Sequence, residues 1–212
     1  MNSVQEFSRQ YHVPPELRDR IRDHIVSSWT ISRGIDAKKV INLCPEDLQA
    51  DIAVHLHRRV FNDHKAFRES SDSCLRALAT EISERRVCHG DLVYHKGEPV
   101  DEVVFIMSGC LEILEDDDVV VAILSNGDAF GEEVWKAKEG KKFKKQKSRY
   151  YVRALAPTDL RILKSESLAK VLMFYHHFGQ SFDAKMKLRW ASQLENFDLS
   201  WIDFELKNIF QF

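Results

Sequence analysis

The chain has 212 residues, with 31 Lys and Arg against 33 Asp and Glu, 44% hydrophobic residues, 30% charged residues, 8 Gly and 5 Pro. That balance describes a folded globular protein. It excludes collagen-like and low-complexity chains and the strongly basic nucleic-acid binders. No apolar run approaches the roughly 18–20 residues that span a bilayer, and the polar first ten residues lack the apolar core of a signal peptide, so the expectation is a cytosolic, non-spanning chain. The four Cys, at 44, 74, 88 and 110, are widely spaced without a CxxC pair. The expectation is free, partly buried thiols rather than disulfides or a zinc site.

The first third of the chain has helical periodicity. Pro14-Pro15-Glu16 is a start signal, and Leu17, Ile21, Ile25 and Trp29 follow at four-residue spacing. Gly34 interrupts them, and Asp36 is a candidate N-cap for a short helix through Leu43. Pro45 opens another helix carrying Leu48, Ile52 and Leu56, and Ser71 or Asp72 caps one carrying Leu75, Leu78 and Ile82. Near Val87 the pattern changes to short β-type runs at 92–95, 103–107, 111–114, 119–124, 150–155 and 160–163, divided by turn signals such as Ser108-Gly109 and Asn126-Gly127. Such spacing predicts a barrel or jelly roll. Helical pattern returns with Leu168, Val171 and Leu172, and then over residues 175–194. The predicted class is α+β: N-terminal helices, an antiparallel β-roll, then helices. Trp29, Ile31 and Ile35 are apolar residues that one small helical layer cannot bury alone, so a neighbouring subunit is expected to cover them.

No catalytic constellation emerges. GxSxG, HExxH and Walker patterns are absent, and the pairs His55/His57 and His176/His177 do not converge on one helix face. No cofactor and no metal-ligand set is indicated. The strongest local motif is Gly127-Asp128-Ala129-Phe130-Gly131-Glu132-Glu133 at a strand end. Its glycines allow close backbone approach and Glu132 could accept from a sugar hydroxyl; the plain alternative is a tight turn with solvated carboxylates. Residues 141–149 hold six cations, Lys141, Lys142, Lys144, Lys145, Lys147 and Arg149. They suit anionic lipid, a calmodulin-like partner or an acidic protein face, or form a solvated loop.

These segments bring out a family. Ser32-Arg33-Gly34-Ile35-Asp36, the run Ala50 to Leu56, Ala66-Phe67-Arg68, the run Cys74 to Ala79, and Gly127-Asp128-Ala129-Phe130-Gly131 lie in one order, closed by Val152-Arg153-Ala154-Leu155. Together they resemble the C-linker and cyclic-nucleotide-binding-homology region of ether-à-go-go-type voltage-gated potassium channels, over roughly four fifths of the chain. The resemblance implies a helical C-linker at 1–68, the homology domain at 69–195 and a tail at 196–212. It also implies a cytoplasmic position below the pore, a homotetramer, and an N-terminal PAS-type domain nearby.

In true cyclic-nucleotide-binding domains a Gly-Glu pair meets the ribose, and an Arg followed by a small hydroxyl residue holds the phosphate. Gly131-Glu132 keeps the first half. Counting back from Val152-Arg153-Ala154, the phosphate Arg falls on Ser148 and the hydroxyl on Arg149, with Tyr150 and Tyr151 following. The vestigial pocket would comprise Phe130, Gly131, Glu132, Ser148, Arg149, Tyr151 and Val152. A one-residue slip in a strand turns a side chain to the other face, so Arg149 does not replace the missing clamp. The resemblance further implies that an aromatic-polar-Leu segment after the last helix fills the empty pocket. An ungapped count gives Trp190-Ala191-Ser192; Phe197-Asp198-Leu199 matches better in residue type and is preferred. It lies seven residues on, about 10 Å along a helix. Beyond it, Trp201, Ile202, Phe204, Leu206, Ile209 and Phe210 would pack on the roll or engage a partner. The implied function is a regulatory module that binds no nucleotide. The alternative is a nucleotide-responsive domain of a related channel or kinase regulator.

Overall fold

The computed structural model of the chain describes residues 2–35, 37–131 and 146–186. Glu132, the lysines from 141 to 145, Asp36, Trp190 and the segment Phe197-Asp198-Leu199 lie outside them.

Helices lead. A short α1 (Asn2–Gln10) precedes α2 (Pro15–Ser32), in which Pro15 supplies the pre-set φ of a first turn. Arg33 ends α2 in the left-handed region at φ 49°, its amide donating to the Trp29 carbonyl, and Gly34 follows at φ 78°. Then come α3 (Ala37–Ile41), α4 (Glu46–Asp63), a 3₁₀ turn at Lys65–Phe67, and α5 (Asp72–Glu81). Ser71 is the cap of α5, accepting the Cys74 amide at 3.3 Å. Arg76 on α5 pairs with both Asp47 and Asp51 of α4, which ties these helices together.

Ten strands follow among the described residues: β1 (Ser83–Val87), β2 (Leu92–Tyr94), β3 (Pro99–Val100), β4 (Glu102–Ser108), β5 (Leu111–Leu114), β6 (Val120–Leu124), β7 (Ala129–Phe130), β8 (Gln146–Lys147), β9 (Tyr151–Ala154) and β10 (Thr158–Lys164). One antiparallel sheet runs β1-β10-β4-β7 and the other β2-β9-β5-β6, with β3 and β8 as a separate ribbon. This is the predicted α+β roll flanked by helices. The run 119–124 starts as a strand only at Val120, because a 3₁₀ turn at Asp116–Asp118 carries Asp117 at φ 66°. The helical stretch expected from about Tyr175 begins there: α6 (Ser165–Phe174) and α7 (His176–Lys185) meet at Tyr175, whose φ of −103° and ψ of 71° are not helical, and the rest of the expected stretch, from 187 to 194, lies outside the described residues.

One core joins roll and helices. Val60, Phe61, Ala66 and Phe67 bury into the same cluster as Val104 and Phe105 of β4, Leu163 of β10, and Phe178 and Phe182 of α7. His57 on α4 sits in that core, and its Nδ1 finds no hydrogen-bond partner among the described residues. Burial first, then the charge of Arg161, pulls its pKa from 6.5 to about 4. Between those values the unfolded chain binds the proton and the folded chain does not, so stability rises with pH. It is full above about pH 6.5 and falls as the pH drops toward 4; burial pulls His64 in the same direction. Urea melts at pH 7 and pH 5 are expected to differ by about 2 kcal/mol from His57 alone, and His57→Leu should remove that share of the difference.

Candidate functional site

The Gly127–Gly131 motif is a turn followed by an edge strand. Gly127 turns at φ 87°, its amide donating to the Ile106 carbonyl at 3.0 Å, while the Asp128 carboxylate accepts from the Ser125 amide at 2.8 Å. β7 then pairs with β4, Phe130 opposite Val104. Gly131 lies at φ 152°, and a Cβ there would come within 2.9 Å of the Glu102 carbonyl. Close approach to β4 therefore requires this glycine.

Phe130 is buried and its ring lies 5.5 Å from that of Tyr94 on β2. The Tyr94 hydroxyl donates to the Glu102 carboxylate, which also pairs with Arg85 at 3.0 Å. Burial first, and then the Glu102 carboxylate, push the Tyr94 hydroxyl far above its ordinary pKa. Tyr94 stands opposite Val152 across the β2–β9 ladder, so Phe130 and Val152 of the predicted pocket gather around it. Sequence reasoning missed Tyr94: nothing in the run 92–95 distinguishes it from any strand aromatic. Its signal was Glu102, a carboxylate that burial leaves needing a donor.

At the position that the sequence count assigns to the phosphate Arg, Ser148 is 3% exposed. Its hydroxyl donates to the Tyr150 carbonyl at 2.7 Å, its amide to the Glu98 carbonyl at 2.8 Å, and its own carbonyl accepts from Gly97. Arg149 points to the exposed side, Tyr151 is half-buried with its ring edge-on to His95, and Val152 is fully buried. The structure thus places Ser148, not a guanidinium, inward at this corner, with its hydroxyl turned back on the chain. A separate recess between α4 and β4, lined by Val60, His64, Phe105 and Asp128, has room for little more than a water.

The helical layer has its own surface. Trp29 is 64% exposed and Leu43 86%, and Leu17, Ile35, Val40 and Leu48 are exposed as well. The side chain of Ile31 lies outside the description. No described helix is long and apolar enough to cross a membrane.

Comparison with known proteins agrees with this geometry. Residues 84–175 match the sequence profile of the cyclic nucleotide-binding domain. The chain is 48% identical over 188 residues to the voltage-gated delayed rectifier potassium channel KCNH1 of Rattus norvegicus, covering 89% of this chain and 19% of that one. Against the potassium voltage-gated channel protein eag of Drosophila melanogaster the identity is 45%, over 89% of this chain and 16% of that one. This chain therefore spans less than a fifth of the curated relatives it matches. A solved C-linker/CNBHD of zELK channels, crystallized in the presence of cAMP, superposes with a TM-score of 0.59 at 29% identity, covering 86% of this chain and 90% of that one.

Proposed function

Because the chain belongs to the C-linker and cyclic-nucleotide-binding-homology regions of ether-à-go-go-type channels, we propose that it is the cytoplasmic gating and assembly module of a voltage-gated potassium channel. Its relatives are ion channels, and it is not an enzyme. In this reading residues 1–68 form the C-linker, 69–195 the homology domain and 196–212 the tail. The C-linker couples the roll to the pore and meets its neighbours in a homotetramer through the exposed face around Trp29, with a PAS-type domain alongside. The basic run ending in Arg149 faces calmodulin or anionic lipid.

The roll in this reading binds no cyclic nucleotide. The observation that supports this is Ser148, whose hydroxyl is committed to the Tyr150 carbonyl where a phosphate-gripping Arg would stand. Loss of a bidentate charged contact costs a few kcal/mol, at least about 100-fold in affinity. Phe197, Asp198 and Leu199 take the place of the ligand, their ring and aliphatic chain replacing purine and ribose. Gly131 and the profile match over 84–175 favour the other reading, a nucleotide-responsive domain.

Calorimetric titration with cAMP separates the two: no heat in the micromolar range is expected, and low-micromolar binding would reverse the conclusion. Phe197→Ala combined with Leu199→Ala should lower the melting temperature by the equivalent of a few kcal/mol, since each buried side chain contributes about 1.5–3 kcal/mol. Trp190→Ala in parallel decides the register: the larger loss identifies the inserted segment, and wild-type melting in both removes the tail from the pocket.

A further inference from the structure

We propose that His24, Cys88 and Asp91 form a binding site for a divalent cation of zinc type, bridging the helical layer and the roll. One ligand atom from each, a ring nitrogen, the thiol sulfur and a carboxylate oxygen, lie within 4.8 Å of one another. His24 Nδ1 and Cys88 Sγ are 3.8 Å apart. Tetrahedral Zn²⁺, with Zn–S about 2.3 Å and Zn–N about 2.0–2.1 Å, needs ligands about 3.5 Å apart. The Cys–His pair, 3.8 Å apart, is nearly there, and the carboxylate oxygen, within 4.8 Å of both, needs only a small side-chain movement.

The roll side is built rather than accidental. Cys88 and Asp91 flank the turn between β1 and β2, in which Gly90 has φ 80°. The Asp91 carboxylate accepts the Cys88 amide at 2.9 Å, and the Asp91 amide donates back to the Cys88 carbonyl at 3.1 Å. That reciprocal pair fixes the two ligands relative to each other. The turn is anchored to β9, Gly90 donating to the Ala154 carbonyl at 2.7 Å and Ala154 to that of Asp91 at 2.9 Å. Arg20, one helical turn before His24 on α2, donates to the other Asp91 oxygen at 2.6 Å. Each carboxylate oxygen keeps a second lone pair for a metal. Arg20 then plays the part of the outer hydrogen-bond partner that orients a ligating carboxylate. His89, inside the turn, is not part of this cluster of ligand atoms, and its Nδ1 lies 2.7 Å from the Leu155 carbonyl.

A thiolate, an imidazole and a carboxylate select a borderline-soft ion such as Zn²⁺ over Mg²⁺ or Ca²⁺. Binding releases the Cys88 thiol proton to solvent, and water completes the fourth position. The site stands independently of whether the roll binds nucleotide.

The test uses the purified chain under reducing conditions, with Zn²⁺ followed by calorimetry and Co²⁺ by the thiolate-to-metal charge-transfer band. One ion per chain and a raised melting temperature are expected. Removing an outer-shell partner typically weakens a metal site 10–100-fold, so His24→Ala, which removes a ligand, should cost about 100-fold or more. Cys88→Ser should abolish the Co²⁺ band. Cys44→Ser should leave it in place. His24 is exposed and Cys44 half-buried, so both variants are expected to fold, which their melting curves check without metal. No band in the wild type, a band that survives Cys88→Ser, or unchanged affinity in His24→Ala overturns the proposal.

Discussion

Phe67→Ala should lower the unfolding free energy by about 3–5 kcal/mol, the range for deleting a buried aromatic ring that its neighbours cannot follow. Phe67 is 2% exposed and sits in the 3₁₀ turn between α4 and α5. Its ring centroid lies 5.2 Å from Phe61 on α4, 5.6 Å from Phe105 on β4, 5.7 Å from Phe182 and 6.4 Å from Phe178, both on α7. Helical layer, roll and C-terminal helices therefore touch the same ring. A cavity there cannot close by the movement of one element without opening a gap beside another. Urea denaturation should show the loss as one cooperative transition shifted to lower denaturant. Phe174, 79% exposed on α6, is the control: its Ala variant should stay within about 0.5 kcal/mol of wild type. Two separated transitions in Phe67→Ala would mean that the ring joins the parts without stabilising either.

The sequence carried the class of fold because the roll's inner strands are apolar runs and its helices repeat every four residues. β4 and β5 are buried along nearly their whole length, and such strands read as continuous hydrophobic stretches. β1 left no such trace. Its Ser-Glu-Arg-Arg-Val is held by charge across the ladder: Glu84 pairs with Arg161 at 3.2 Å and Arg86 with Asp159 at 3.4 Å. Complementary charges on two distant strands cannot be matched until the register is known. The close packing behind the junction at Tyr175 has a sign in Gly179. Its amide bonds to the Tyr175 carbonyl, and a Cβ there would come within 2.9 Å of the Leu172 carbonyl. A glycine in a helical pattern here marks close packing of α7 on the end of α6.

The candidate sites divide in the same way. The sequence count could set Ser148 at the clamp position, but that Ser148 is buried and Arg149 exposed is visible only in the fold. That the Ser148 hydroxyl turns back to Tyr150 depends on a local bend the sequence does not encode visibly. His24 and Cys88 lie 64 residues apart, so no spacing rule joins them. They meet where α2 lies against the β1–β2 turn, with Arg20 reaching Asp91 beside them.

Gly109→Ala should destabilise the roll by about 3 kcal/mol, from backbone strain of about 1–3 kcal/mol and overpacking of similar size. Gly109 links β4 to β5 at φ 84°, where a side chain is strained whatever the space. Here there is no space. A Cβ would stand 2.5 Å from the Pro157 carbonyl oxygen, 2.5 Å from the Thr158 hydroxyl and 2.8 Å from the Thr158 Cα. Two of those three atoms are backbone, so rotating a side chain does not relieve the clash. The Thr158 hydroxyl is itself committed, lying 3.1 Å from the Cys110 carbonyl and 2.8 Å from that of Ala156. Thr158 begins β10, the strand paired with both β1 and β4, so displacing it loosens the centre of that sheet. Gly90→Ala is the matched comparison. It has nearly the same φ of 80°, but nothing lies within 4 Å of its added Cβ. It should carry the conformational strain alone, about 1–2 kcal/mol. Chemical denaturation of the two variants side by side separates strain from steric clash: equal losses would show that the turn at Gly109 opens to admit a methyl group, and that the approach of Pro157 and Thr158 is not a fixed feature of the fold.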